Sequence, residues 1–142
     1  MEWRRSDGYV VSDDPNLLDL ETVHRWLSNE CYWAAGRSFE VVKRSVESSL
    51  TLGCYAPDGR QIGVCRFVTD SATFGWLCDV FVASSDRGDG VGSFMVGSAL
   101  SHPTVKDLRL LLATRDAHRL YQGFGFSEPV SSLMERPRSV VS

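Results

Sequence analysis

The spacing of apolar residues changes several times along the chain and predicts a mixture of helices and strands. Apolar side chains recur at helical spacing in three segments, so we predict helices over 16–28, 39–48 and 91–100. A short apolar run over 9–11 predicts a first strand. From Ser49 the period becomes that of strands, and the turn at 56–60 contains Pro, Asp and Gly in that order, which predicts a β-hairpin.

Two nearly continuous apolar runs follow, as expected of strands covered on both faces of a sheet; they are 74–82 and 108–113. A short helix is predicted over 114–123. Pro129–Arg136 is predicted as a final edge strand, and Arg138–Ser142 as a frayed tail. This order of elements predicts a single α/β (α+β) domain over 1–142, with a mixed sheet and helices on both of its faces.

Composition and charge narrow the classes of protein to which the chain belongs. Of its 142 residues, 43% are hydrophobic and 23% are charged, which is typical of a globular domain. The net charge of −3 argues against a nucleic-acid partner, and no apolar run reaches the roughly 18 residues of a membrane span. The four cysteines are widely spaced without a C-x-x-C pair, and no signal peptide precedes them. We therefore expect reduced thiols, no metal and a cytoplasmic protein.

The turn between the strand at 74–82 and the helix at 91–100 is rich in glycine and reads RGDGVG from Arg87 to Gly92. Glycines let the backbone approach a ligand closely, and a helix that begins there directs free N–H groups at an anion. The turn therefore predicts a ligand that bears a phosphate or pyrophosphate. Its alternative reading is an ordinary connection between a strand and a helix, since the glycine pattern is not that of dinucleotide-binding proteins and no P-loop lysine follows.

Two segments in this order resemble the GNAT superfamily of N-acetyltransferases. The first is Val80–Val82 followed by Arg87–Gly92, and the second is AHRLYQGFGF at 117–126. The resemblance extends from Leu50 to Phe126 and implies a mostly antiparallel sheet with one splayed pair of strands. It also implies acetyl-CoA as donor, bound by Val80, Phe81, Val82, Arg87, Gly88, Asp89, Gly90, Val91, Gly92, Thr114 and Ala117. Thr114 departs from the Asn that many members have there.

Two residues are candidates for the chemical step. The resemblance implies that Tyr121 is the general acid that protonates the departing thiolate. Asp79 is a carboxylate inside an apolar strand, which is costly unless it is paired or functional, so we predict that it serves as base or orients the amine. Its alternative reading is a salt bridge or cap at an irregular point of the strand. Asp70, Asp116 and His118 are interpreted as structural or exposed residues.

The resemblance further implies that the connection between the first two helices lines an acceptor pocket. We therefore predict that the acceptor binds to Tyr32, Trp33, Arg37, Phe74 and Trp76. Arg37 either binds an acceptor carboxylate or pairs with a local acid, and a packed loop is the alternative for the whole segment. The predicted function is direct acetyl transfer to a primary amine of a small molecule. A protein or peptide acceptor, a non-catalytic acyl-CoA sensor and a homodimer remain open.

Overall fold

The computed structural model describes residues 1–129 and 133–138. Its six strands form one sheet in the order of the chain, namely β1 (Glu2–Arg4), β2 (Val10–Ser12), β3 (Leu50–Tyr55), β4 (Gln61–Thr69), β5 (Phe74–Val82) and β6 (Arg109–Leu111). Neighbouring strands are antiparallel except β5 and β6, which are parallel. The helices are α1 (Leu20–Glu30), α2 (Phe39–Glu47), α3 (Val91–Leu100) and α4 (His118–Gln122), with single 3₁₀ turns at Tyr32–Ala34 and Ser84–Asp86. The predicted mixed, mostly antiparallel α/β fold is confirmed.

Several predicted boundaries were wrong, each for a local reason. Helix α1 begins at Leu20 instead of residue 16, because the Asp19 side chain caps it by accepting a hydrogen bond from Thr22 N at 3.1 Å. Helix α4 is shorter than predicted because 114–117 form a turn before it, in which Thr114 Oγ1 accepts a bond from Ala117 N. Strand β1 was not predicted, and β6 ends before Leu112.

The C-terminal predictions are only partly covered by the structure. Of the predicted edge strand Pro129–Arg136, the described residues are not in a strand and 130–132 lie outside the described residues. Residues 139–142, which include most of the predicted tail, also lie outside the described residues. No helix in 1–129 or 133–138 is long and apolar enough to cross a membrane.

The hydrophobic core has one part on each face of the sheet. Consecutive residues of β4, Val64 and Cys65, contribute to different clusters, as the alternation of side chains along a strand requires. One cluster contains the buried face of α3, with Met95 and Val96. The other contains α1 and α2 and places Trp26 against Phe81, with ring centroids 5.1 Å apart. Helices therefore cover both faces, as predicted.

A β-bulge interrupts β5 at Asp79. Strand β4 pairs Val64 with Phe81 and then Arg66 with Cys78, so two residues of β5 stand opposite one residue of β4. Asp79 has a φ of +52°, a left-handed conformation that is uncommon for residues other than glycine. Because the extra residue shifts the alternation, Leu77 and Phe81 pack in the cores on opposite faces of the sheet.

Strand β5 pairs with β6 only over its first three residues. The parallel ladder joins Phe74–Trp76 to Arg109–Leu111 and then stops, although β5 continues to Val82. A cavity of about 720 Å³ lies beside the unpaired part of β5. The predicted splayed pair of strands is therefore present, and it opens the sheet next to the bulge.

Candidate active site between the splayed strands

The cleft beside the splayed strands collects side chains from five parts of the chain. Its walls are formed by 76–80 of β5, by 112–117 after β6, by Tyr121 of α4, by Arg66 and Val68 of β4, and by the connection between α1 and α2. The last of these contributes Tyr32, Trp33 and Arg37. Residues that are distant in sequence and were predicted separately as donor, acceptor and acid residues therefore share one cavity.

The glycine-rich turn has the geometry of an anion-binding loop. Gly88 and Gly90 have φ values of +97° and +73°, and Gly90 is the N-terminal cap of α3. Among the described residues, the backbone N–H groups from Gly88 to Ser93 donate to no protein acceptor, and the first such bond of the helix runs from Phe94 N to Gly90 O. A methyl group added at Gly88 would meet nothing within 4 Å. A row of free donors at a helix N-terminus with open space before it suits a phosphate group.

Two arginines hold this turn in place. Arg87 Nε donates to Val82 O at 2.7 Å, and its guanidinium lies 5.2 Å from the centre of the Phe81 ring. Arg5 Nη1 donates to Asp89 O at 2.9 Å, while its other nitrogens form two bonds of 2.8 Å with Asp7. Sequence analysis missed Arg5. Nothing near it in the sequence indicates that it meets a loop 84 residues further along the chain.

The other predicted donor residues divide into those whose side chains line the cleft and those that can act only through the backbone. Val80, Thr114 and Ala117 line the cleft. The Thr114 oxygen already accepts the Ala117 N–H, which leaves its hydroxyl proton available for another acceptor. The side chains of Phe81 and Val91 are buried in the cores, so a ligand could reach only their peptide groups.

Tyr121 is a buried residue that lines the cleft. Its side chain lies against Phe126, with the ring centroids 5.9 Å apart and nearly perpendicular. Tyr121 is 7% exposed, and burial raises the pKa of its hydroxyl to about 12. The phenol is therefore fully protonated at neutral pH and is a hydrogen-bond donor.

Asp79 is the centre of a polar cluster on the acceptor side of the cleft. Its Oδ2 accepts hydrogen bonds from Arg37 Nη1 at 2.9 Å and Arg66 Nε at 3.0 Å, and its Oδ1 accepts one from Trp33 Nε1 at 3.1 Å. The side chain of Asp79 is 4% exposed. The salt-bridge reading of this residue is therefore present in the structure, at an irregular point of the strand, and the carboxylate also lines the cleft.

Two arginines of the cleft were not predicted. Arg66 interrupts the apolar residues of β4, which is the same signal that pointed to Asp79, and its Nη1 donates to Ser49 Oγ at 3.0 Å. Arg115 stacks on the Tyr32 ring at 3.7 Å from its centroid, and the Tyr32 ring lies edge-on to that of Trp33 at 5.1 Å.

The remaining singled-out residues lie at different places relative to the cleft. Phe74 does not line the cleft, because it pairs with Arg109 where β5 and β6 are still joined. Asp70 is a turn residue, as interpreted; it accepts bonds from Ala72 N, Thr73 N and the Thr73 hydroxyl, which lower the pKa of its carboxyl. Asp116 lines the cleft and is exposed, whereas His118 lies at a neighbouring cavity.

The cysteines are free thiols whose pKa is raised by burial. All four are free thiols, and Cys78 is the one that lines the cleft. Burial raises the pKa of Cys78 to about 11, so it is protonated at neutral pH. No group of three His, Cys, Asp or Glu side chains within the described part of the chain is arranged to hold a metal ion.

The fold and the cleft thus define an α/β domain with a split sheet and a glycine-rich turn whose free N–H groups lie at one helix N-terminus. Residues 50–128, more than half of the chain, match the sequence profile of the acetyltransferase (GNAT) domain. The chain belongs to the GNAT acetyltransferase family, and the predicted resemblance is confirmed.

Individual relatives agree with this assignment. A protein of Xanthomonas campestris pv. campestris assigned to the GNAT family is 41% identical, with a TM-score of 0.87 over 92% of this chain and 93% of its own. A candidate acetyltransferase of Gibberella zeae is 30% identical over 112 residues, which cover 66% of this chain and 63% of that relative, so the chain spans less than two thirds of its length. Glucosamine-6-phosphate N-acetyltransferase of Arabidopsis thaliana shares the fold, with 14% identity and a TM-score of 0.61 over 90% of this chain and 97% of its own.

Proposed function

We propose that this protein transfers an acetyl group from acetyl-CoA to a primary amine of a small molecule. The observation that carries the proposal is the split between β5 and β6, which has a row of free N–H groups near the end of β5 and the buried phenol of Tyr121 on its wall. Membership of the GNAT family supports the same reaction. The four unpaired thiols fit a reducing compartment, so we place the reaction in the cytoplasm as part of the proposal.

The donor would be held through backbone groups rather than side chains. The N–H groups between Gly88 and Ser93 bind its pyrophosphate at the start of α3. Alternate N–H and C=O groups of an antiparallel strand point away from its partner, so the unpaired part of β5 offers such groups to the cleft. The hydroxyl of Thr114 adds a donor on the opposite wall. The ligand supplies an acetyl group activated as a thioester.

The amine must lose a proton before it can act as a nucleophile, because an alkylammonium has a pKa of about 10 and is mostly charged at neutral pH. A carboxylate has about four positions at which it accepts hydrogen bonds, and Asp79 uses three of them on Trp33, Arg37 and Arg66. The fourth position belongs to Oδ1. We assign it to the amine, which Asp79 orients while the proton leaves through water to solvent.

Tyr121 completes the transfer by giving its proton to the departing sulfur. Burial keeps this phenol neutral over the whole physiological range, so the acid is present in every molecule. The acetyl group passes directly to the amine, since Cys78 is protonated and a covalent intermediate on the enzyme is not required.

Chromatography of released CoA, with mass spectrometry of the acetylated amine, tests the proposal directly; thiol reagents are avoided because the chain has four cysteines of its own. We expect CoA release that depends on a small amine. Binding of acetyl-CoA without release for any amine would make the protein an acyl-CoA sensor. Faster release with peptide amines would assign a protein acceptor, and a melting temperature unmoved by acetyl-CoA would leave only an interaction domain. Each of these three results refutes the proposal.

A further inference from the structure

The acceptor side of the cleft carries more positive than negative charge. Three guanidinium groups line it, from Arg37, Arg66 and Arg115, against the two carboxylates of Asp79 and Asp116. The side chains of Arg37 and Arg66 are only 21% and 12% exposed, so solvent screens their charges incompletely. An excess of one positive charge therefore remains in a partly enclosed space.

The excess is concentrated at Asp79, where two cations share one oxygen. Arg37 Nη1 and Arg66 Nε both donate to Oδ2 of this carboxylate. A guanidinium has five N–H donors, and within the described residues Nε and Nη2 of Arg37 and Nη2 of Arg66 have no acceptor. These nitrogens are open to water, and a second carboxylate would replace water as their acceptor in a charge-assisted hydrogen bond.

This charge bears on the acceptor because a simple alkylamine arrives as a cation. Such a molecule would be repelled by a cleft with net positive charge, whereas an amine that also carries a carboxylate is electrically neutral as a whole. The aromatic side chains of Tyr32 and Trp76 line the same space and would contact the apolar part of the molecule. The guanidinium of Arg115 stacks on the ring of Tyr32, so its positive charge also lies next to this aromatic part of the cleft.

We propose that the acceptor is an aminocarboxylate and that Arg37 and Arg66 bind its carboxylate while Asp79 orients its amine. This inference rests on the proposed acetyltransferase function and names its substrate class. One carboxylate matches the single excess charge, which is why it is favoured over a dianionic phosphate. The bond that forms is the amide between the acetyl carbon and the amine, the thioester bond breaks, and the ammonium proton goes to solvent as Tyr121 protonates the sulfur.

The test compares amines that differ only in the carboxylate. Aminocarboxylates from glycine to 6-aminohexanoate, with phenylalanine added, are each paired with the alkylamine of the same length, and 2-aminoethylphosphonate is included. For chains such as 4-aminobutyrate and butylamine the amine pKa is nearly equal, so the comparison of kcat/KM isolates recognition of the anion. We expect at least a tenfold preference for one or more aminocarboxylates over their partners.

The variant Arg37→Gln separates recognition from chemistry. It should raise KM for the preferred aminocarboxylate about tenfold or more and abolish the preference over the alkylamine, with KM for acetyl-CoA unchanged. Arg25→Gln, at an exposed arginine of α1 outside the cleft, is the matched control and should behave as the unmodified protein.

Three results would overturn the inference. Alkylamines that react as fast as their aminocarboxylates would refute it and leave the acetyltransferase function standing. A preference for the phosphonate would assign a different anion. Bound acetyl-CoA with no release of CoA in the presence of any member of the panel would refute the proposed function and this inference together.

Discussion

The substitution Tyr121→Phe removes one oxygen and tests the proposed acid directly. The ring remains in place against Phe126, so the packing is preserved and we expect the free energy of unfolding to change by less than about 1 kcal/mol. General acid catalysis accelerates reactions by roughly 10²–10⁴-fold. Burial raises the pKa of Tyr121 to about 12, well above the pKa near ~8.5 of a thiol such as the leaving group. This phenol is a weak acid toward such a thiolate, so we expect the lower end of that range, a loss of about 10²-fold in kcat.

The assay is CoA release at saturating amine, with the affinity for acetyl-CoA measured by calorimetry. The affinity should stay within about threefold, because the glycine-rich turn proposed to bind the pyrophosphate is untouched. Since the phenol stays protonated far above neutral pH, the defect should be the same at every pH from about 6 to 10. A kcat within threefold of the unmodified protein would refute the assignment of Tyr121 as the acid.

Tyr55→Phe provides a matched control. Burial also raises the pKa of Tyr55 to about 12, but this residue lies at the end of β3 outside the cleft. Its buried hydroxyl has no hydrogen-bond partner among 1–129 and 133–138. Removing an unsatisfied buried hydroxyl should leave kcat unchanged and raise the melting temperature by roughly 2–4 °C. A loss of activity in this variant as well would show that the effect of Tyr121→Phe is not specific to the cleft.

Three further outcomes are expected. Gly90→Val should raise Kd for acetyl-CoA at least tenfold, because a side chain would stand among the N–H groups of the glycine-rich turn. Gly59→Val at the hairpin turn brings a similar left-handed strain and should leave Kd unchanged, so equal Kd values for the two variants in calorimetry would contradict the assignment of the turn. Asp79→Ala should lower the free energy of unfolding in urea titrations by about 3 kcal/mol. This is the lower end of the cost of breaking a buried ion pair, because the Arg37 side chain is 21% exposed. A loss below about 1 kcal/mol would show that the arginines find other partners. Burial raises the pKa of Cys54 from 9.0 to about 12, so its contribution to stability is complete below pH 9 and is lost as the pH rises toward 12; a melting temperature that stays constant up to pH 11 would contradict this.

The pattern of apolar residues was sufficient to locate two elements that are apolar along most of their length. The strand predicted over 74–82 and the helix predicted over 91–100 have the bounds seen in the structure. Strand β1 was missed because it contains a single apolar residue, Trp3, and is defined by its pairing with β2. Strand β1 forms because it pairs with a neighbouring strand, and such pairing cannot be read from the local pattern of its own residues.

The site could be predicted only as far as each residue carries its own signal. A carboxylate in an apolar strand drew attention to Asp79, and the same argument applied to Arg66 would have suggested an ion pair between neighbouring strands. Arg37 lies 42 residues from Asp79, and its contact follows from the packing of the helix connection on the sheet. The sequence also did not indicate that Phe74 lies outside the cleft, because the residue at which β5 and β6 separate is set by tertiary packing.

The extra residue at Asp79 also determines how β5 tolerates change. Deleting Asp79 would leave Leu77 and Phe81 three residues apart, so regular alternation would still place them on opposite faces of the sheet and both cores would be kept. Asp79→Gly would relieve the strained φ but remove the carboxylate that holds the arginines. Mutations that regularise this strand for greater stability would therefore dismantle the acceptor side of the cleft, and the two properties cannot be improved separately at this point.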